Sequence, residues 1–389
     1  MGGAPHWRAG GIETRDLGVN DPWNASPTNK LPLDDPDYRL VWPRDLFVSE
    51  LDAVLGRYDA QGSSGSLLLE EAFAGSSAVD EFRLAPGNGD AVIAELRRRA
   101  PELRELASSR SRPYYLHRKN GTDLPSEPDW DAAQRRYRTL MGSMNDAGYF
   151  DRAWGADCVD DHRDWRAPSD DVAGELGVTD LNPLATDTAP WDTDVFLSVV
   201  EVLHDRVARP RVITRLHDFG GCGRHYDDYA PAPGRAVYRI KVNKIFEQSR
   251  LPFRLADVGD DAGRVVAFSD DATEDLIKEA IDTAGPRERD EVRHAIAMFR
   301  ARGADRDAKR SAIVALGRIL ELDRPLVKAE LKSQDEGTLF RVMNEFDIRH
   351  SNDKQLNDYG TEFLDWVFWT HLASVRLLRH LKARAATQA

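Results

Sequence analysis

Residues 363–381 read FLDWVFWTHLASVRLLRHL. The apolar residues recur at intervals of three and four, which is the spacing of an α-helix. They also cover most of the helix circumference, and a helix of this kind is either buried inside a bundle or shared with a second subunit. The stretch therefore predicts a helical C-terminal part.

Upstream of this helix, the sequence predicts further helices around one small β element. Helical spacing recurs after Pro43, from Trp130 to Met144 and from Asp192 to Arg206. The segment RVITRL at 211–216 predicts a strand, and residues 253–268 predict a β-hairpin. We predict a mainly α fold in four parts: a flexible tail (1–40), a helical region (41–128), an α+β middle domain with a Gly-rich HDFGGCGRHY turn and a hairpin (129–270), and a helical C-terminal domain (271–389).

Composition excludes several classes of protein. The 389 residues are 41% hydrophobic, and no run of about 18 apolar residues predicts a membrane span. The start, MGGAPHWRAGG, lacks the apolar core of a signal peptide, and two cysteines cannot form a disulfide framework, so we expect a cytoplasmic protein. The net charge of -13 argues against general coating of nucleic acid. Residues 286–389 nevertheless hold 19 Lys/Arg against 16 Asp/Glu, so any anionic partner is expected to meet this part of the chain.

The segment IRHSNDKQLNDY at 348–359 places polar side chains between two apolar helices. Arginine binds phosphate bidentately, histidine transfers protons near neutral pH, and amide side chains orient a substrate. An RNA-cleaving site needs these groups. A solvated loop with Asn and Asp caps has the same composition and is the alternative.

A second cluster has the residue types of a metal site. His217, Cys222 and His225 stand at H-x4-C-x2-H spacing, and Cys158, His162 and His204 lie upstream. Cysteine and histidine side chains bind zinc tetrahedrally. The alternative is a tight glycine turn in which Cys222 is a small buried side chain.

A series of arginines in the middle of the chain offers either an anion site or ion pairs with the many acids around it. Ion pairs are the expectation, because charge runs are usually solvated and paired. The series comprises Arg206, Arg209, Arg211, Arg215, Arg224, Arg235 and Arg239.

Several stretches together resemble bacterial abortive-infection (AbiJ-type) proteins and their uncharacterised relatives. The resemblance covers about residues 140–385 and depends most on LFRVMNEFDIRHSNDKQLNDY (339–359) and LDWVFWTHLASVRLL (364–378). FLSVVEVLHDRV, HDFGGCGRHYDDY, FRLADVGDDAGRVV and the segment at 234–246 fit as well. In such families the C-terminal part is similar to HEPN domains, several of which are ribonucleases. Their signature separates Arg from His by four to six residues, whereas Arg349 and His350 are adjacent here.

The resemblance implies a phage-defence protein that acts on RNA, with sites formed across a homodimer. Arg349 would hold phosphate, His350 would be the general acid or base, and Asn352 and Gln355 would position the RNA, with Asp358 and Tyr359 as further substrate contacts. No cofactor is expected on this route. The sequence leaves two alternatives open: a non-enzymatic sensor or interaction module that responds to a phage component, and a metal-dependent protein that binds zinc through His217, Cys222 and His225. Signatures of other hydrolases, dehydrogenases and NTPases do not occur.

Overall fold

A computed structural model of the chain describes residues 31–55, 63–85, 87–106, 127–156, 158, 166–179, 181–185, 189–217, 223–268, 270–283, 285–330 and 360–388. As predicted, the fold is mainly helical, with a small antiparallel hairpin in the middle region. None of the described helices combines the length and apolar character needed to cross a membrane.

The first elements are all helical. They are α1 (Arg44–Val54), α2 (Ser63–Ala72), α3 (Ser77–Leu84), α4 (Asp90–Arg98), α5 (Trp130–Asp146), α6 (Asp151–Trp154), α7 (Pro168–Leu176) and α8 (Thr193–Arg206). The apolar spacing after Pro43 and in the 130–146 and 193–206 segments is what produces α1, α5 and α8.

Four strands and one long helix follow. They are β1 (Arg209–His217), β2 (Gly223–Ala230), α9 (Pro231–Gln248), β3 (Phe253–Leu255) and β4 (Val265–Ala267). β1 pairs with β2 and β3 pairs with β4, both antiparallel. The expected turn over HDFGGCGRHY is wrong in its second half, because residues 223–226 belong to β2. β1 supplies the backbone partners for this polar strand, and the pairing is irregular at three places between Pro210 and Arg215.

The last elements are α10 (Asp271–Asp282), α11 (Pro286–Arg300), α12 (Arg306–Leu322), α13 (Arg324–Glu330) and α14 (Thr361–Gln388). Their buried side chains form a hydrophobic core separate from the core that precedes it along the chain. Phe299 of α11 stacks on Phe368 of α14 with ring centroids 3.7 Å apart. The C-terminal part is therefore a helical bundle with its own core.

The first core includes side chains from residue 31 to residue 265, so the helices before residue 106 and the elements after residue 129 share it. The hydroxyl groups of Tyr137 on α5 and Tyr238 on α9 form a hydrogen bond of 2.7 Å, and Tyr238 donates to the carbonyl of Val200 on α8. The prediction of a flexible tail over 1–40 is wrong for its last ten residues. Tyr38 and Leu40 are fully buried in this core, because α2 and the 103–106 segment pack around them.

Candidate functional site

The predicted RNA site lies outside the described residues. It falls between the end of α13 at Glu330 and the start of α14 at Thr361. Its residues, whose roles stay predictions, are Arg349, His350, Asn352, Gln355, Asp358 and Tyr359.

The helix that follows this segment is held firmly at its start. Lys309 of α12 donates to Asp365 of α14 over 2.7 Å. One turn later, Phe368 stacks on Phe299, and the ring of Trp369 meets Phe299 edge-on at 5.6 Å. The first two turns of α14 therefore have a fixed position in the bundle.

The outer face of α14 carries large apolar side chains. Phe363, Trp366 and Leu377 are 44%, 51% and 45% exposed. They lie three and eleven residues apart, so they share one side of the helix. One side of α14 is thus buried, and its outer side carries these three large apolar side chains beside polar ones such as Thr370 and His380.

The structure describes only part of the predicted zinc site. His217 ends β1 opposite Gly223, and His225 pairs with Arg215 two residues further along the hairpin. His225 is buried, while Cys222 and the side chain of His217 lie outside the described residues. Within the residues that the structure describes, no three His, Cys, Asp or Glu side chains are arranged to hold a metal ion.

His204 has other partners than a metal. Its Nδ1 lies 3.2 Å from Oδ1 of Asp205, and its Nε2 lies 3.2 Å from Nη1 of Arg239. Because the guanidinium can only donate, Nε2 accepts and Nδ1 carries the proton. Burial lowers the pKa of His204 to about 4, so the ring is neutral at pH 7. Its place in the wider zinc set, beside Cys158 and His162, is therefore not supported.

Most of the arginine series forms ion pairs, as expected. Arg206 of α8 binds Asp171 of α7 at 2.7 Å and Glu175 at 3.2 Å. Arg224 of β2 lies 3.8 Å from Glu70 of α2. These contacts fasten the hairpin and α8 to neighbouring helices.

The tightest of these contacts form a buried cluster that joins β1 to α1 and α2. Arg209 donates from Nη1 to Glu50 at 2.9 Å and from Nε to Glu71 at 2.8 Å, and Arg211 also binds Glu50. The side chains of Arg209 and Glu50 are both fully buried. Burial by itself would lower the pKa of Arg209, but the neighbouring carboxylates outweigh it and raise this pKa. The Tyr149 hydroxyl donates to Glu71 and completes the cluster.

Sequence reasoning missed the acidic half of this cluster. Glu50 lies between Phe47 and Leu51 on the apolar face of α1, and all three are fully buried. A charged residue on the apolar face of an amphipathic helix indicates a buried ion pair, and the sequence does show this feature. Its cation is 159 positions away in the sequence, so the spacing alone gives no pairing.

Two members of the series differ from the rest. Arg235 and Arg239 stand one turn apart on α9, facing the end of α8. Neither forms an ion pair with a carboxylate in the described part of the chain, although both are partly buried.

Comparison of the chain with protein-family models, with curated proteins and with solved structures gives no match.

Proposed function

We propose that this chain is a bacterial phage-defence protein of abortive-infection type whose HEPN-like C-terminal bundle cleaves RNA through residues 348–359. The C-terminal bundle gives the proposal its main support. It has a hydrophobic core of its own, and the polar segment leads into the start of α14, which Asp365 and Phe368 fix to the neighbouring helices. Rigid support is what a catalytic segment needs to keep its groups in register.

In the proposed reaction the RNA 2′-hydroxyl attacks the adjacent phosphorus. His350 removes the proton from this hydroxyl or delivers one to the departing 5′-oxygen, and Arg349 holds the phosphate as its charge grows. Asn352 and Gln355 position the sugar and base, and Asp358 and Tyr359 make further contacts with the RNA. The bond between phosphorus and the 5′-oxygen breaks as the bond to the 2′-oxygen forms, and this route requires no metal ion.

The proposal includes a homodimer through the outer face of α14. The exposed side chains of Phe363, Trp366 and Leu377 give this face the large apolar groups that helix pairs bury. As in dimeric HEPN proteins, the proposal has the RNA site formed across the twofold interface. We also propose that the protein acts in the cytoplasm and that a phage-derived component triggers it.

The test is cleavage of total RNA and tRNA with EDTA present. Wild type is compared with R349A/H350A and with R318A/H294A, a control that removes the same two residue types from exposed positions on α12 and α11. The proposal expects cleavage by wild type and by the control, and a loss of at least about 100-fold in R349A/H350A, because a positioned acid–base group contributes 10²–10⁴-fold.

Other outcomes separate the alternatives. RNA binding without cleavage by any variant would favour a sensor or interaction module. Cleavage that EDTA abolishes would favour a metal-dependent protein and direct attention to His217, Cys222 and His225. Equal cleavage by wild type and R349A/H350A would contradict the assignment of the site.

A further inference from the structure

Arg235 and Arg239 lie where the end of α8, the first turns of α9 and the β3–β4 hairpin meet. Arg235 donates from Nη2 to the carbonyl of Asp205 at 3.1 Å, and Arg239 donates to His204. Both acceptors are uncharged. The two guanidinium charges are therefore not neutralised by a contacting carboxylate among the described residues.

Two carboxylates at the junction bind other cations, and one of them, Asp257, also opposes the charge of Arg239. Asp205 receives Arg264 of the hairpin at 2.9 Å, and Asp257 of the same hairpin binds Lys278 of α10 at 2.9 Å. A third arginine, Arg254 of β3, adds a cation whose contact with Glu274 is long, at 3.6 Å. The buried Nε atoms of Arg235 and Arg254 have no hydrogen-bond acceptor in the described part of the chain. Among the described residues, the junction thus holds two unbonded guanidinium Nε donors and an unbonded carboxylate oxygen, Oδ1 of Asp257.

This arrangement is costly for the folded chain. Like charges at positions i and i+4 of a helix repel each other, and the side chains are partly buried, which removes their water. Burial lowers the pKa of Arg239 most, and the charges of Arg235 and Arg254 lower it further, against the opposing charge of Asp257. Side chains held at such a cost mark a candidate binding site.

The hairpin holds the junction in shape. Gly263 packs against the ring of His204 so closely that a Cβ atom would come within 2.2 Å of it, and its φ of +80° is unfavourable for other residues. Asn243 of α9 bonds both backbone groups of Leu255 in β3, at 2.7 and 3.1 Å. The arginines therefore lie between elements whose positions are set by packing.

We propose that Arg235 and Arg239, with Arg254 beside them, form a binding site for a phosphate group carried by a free nucleotide or by an RNA strand. Guanidinium groups bind phosphate oxygens through paired, charge-assisted hydrogen bonds, and a phosphate would supply the missing acceptors and charge. The inference goes beyond the proposed function, because the site lies outside residues 348–359 and binding there requires no cleavage.

The test measures binding of two probes to the full chain. The first is AMP, followed by calorimetry. The second is a fluorescent 2′-O-methyl RNA 12-mer, which lacks the attacking hydroxyl and cannot be cut by the proposed reaction. Wild type is compared with R235Q/R239Q and with R97Q/R98Q, a control that removes two positive charges from exposed ion pairs on α4.

The proposal expects R235Q/R239Q to bind at least one probe about tenfold more weakly than the control does, since hydrogen bonds to charged groups are among the strong ones. The probe that is weakened identifies the source of the phosphate. For the 12-mer, the slope of log K against log salt should fall by about 1.4, at about 0.7 for each lost phosphate contact with a single strand.

Three results would overturn the proposal. The first is equal binding by R235Q/R239Q and the control. The second is no binding of either probe to wild type at about 50 mM salt, where phosphate contacts are strong. The third uses wild type alone, so it holds even if the variant misfolds. It is a failure of the tighter-binding probe, at saturation, to protect Arg235 and Arg239 from an arginine-selective dicarbonyl reagent.

Discussion

Replacing Arg209 with methionine should strongly lower the free energy of unfolding of the part of the chain that contains the larger core. The change removes a cation that is fully buried and binds both Glu50 and Glu71. Methionine fills much of the same volume, so the effect comes from charge rather than from a cavity. Glu50 would remain fully buried, with Arg211 as its only cation among the described residues.

We expect a loss of about 3–5 kcal/mol in the free energy of unfolding. Removing one partner of a buried ion pair leaves an uncompensated charge away from water, and losses of this size are typical. The fully buried side chains and the contacts of 2.8 and 2.9 Å place Arg209 in that class. With a urea m value of about 2–3 kcal/mol/M, the midpoint should fall by about 1–2.5 M.

Urea titrations followed by tryptophan fluorescence measure this difference. The matched control is R97M, which breaks the pair of Arg97 with Asp52, where the side chains are 42% and 50% exposed. An exposed pair contributes at most about 1 kcal/mol, so the control midpoint should barely move. A loss below about 1 kcal/mol in R209M, at an unchanged m value, would refute the view that this cluster joins β1 to α1 and α2.

Three further predictions concern other parts of the chain. Burial lowers the pKa of His371 to about 4, whereas the pKa in the unfolded state is near 6.5, so the unfolded state binds more protons. The free energy of unfolding should therefore fall by up to about 3 kcal/mol as the pH drops from about 6.5 to 4. In H371Q the urea midpoint should depend less on pH across this range, and an unchanged dependence would contradict the assignment. Gly234→Ala places a Cβ atom 2.4 Å from the backbone nitrogen of Arg209 and should cost about 1–3 kcal/mol, whereas Gly174→Ala meets nothing within 4 Å and should stabilise by about 0.5–1 kcal/mol, as thermal melts would show. Leu377→Glu should convert the proposed dimer to monomer in light scattering, and a monomeric wild type would remove that part of the proposal.

Local periodicity accounts for the parts of the fold that the sequence predicts well. Helices α5 and α8 show apolar residues on one side, and the last helix shows them around most of its circumference. The structure has helices at all three places. The sequence does not reveal β2, because GRHYDDYA has little β propensity and its pairing with β1 is a tertiary effect. The burial of Leu40 likewise depends on contacts with residues 73 and 105, which local spacing does not reveal.

Of the two candidate sites, one is visible in the sequence and the other depends on the folded chain. The polar segment at 348–359 stands out by composition, since it lies between two apolar stretches of the sequence. Arg235 and Arg239 stand in the arginine series without distinction, because only the folded chain separates arginines with carboxylate partners from those without. The sequence shows the arginine spacing, but which arginines contact a carboxylate among the described residues depends on the folded chain.

The chemical ends of the RNA products are the sharpest test of metal-independent RNA cleavage through Arg349 and His350. Attack by the 2′-hydroxyl leaves a 2′,3′-cyclic phosphate on one fragment and a free 5′-hydroxyl on the other. With EDTA present, we expect wild type to produce cyclic phosphate ends from total RNA, and R349A/H350A, at matched thermal stability, to produce none. Products with 5′-phosphate ends, or cyclic phosphate ends formed equally by both proteins, would contradict it.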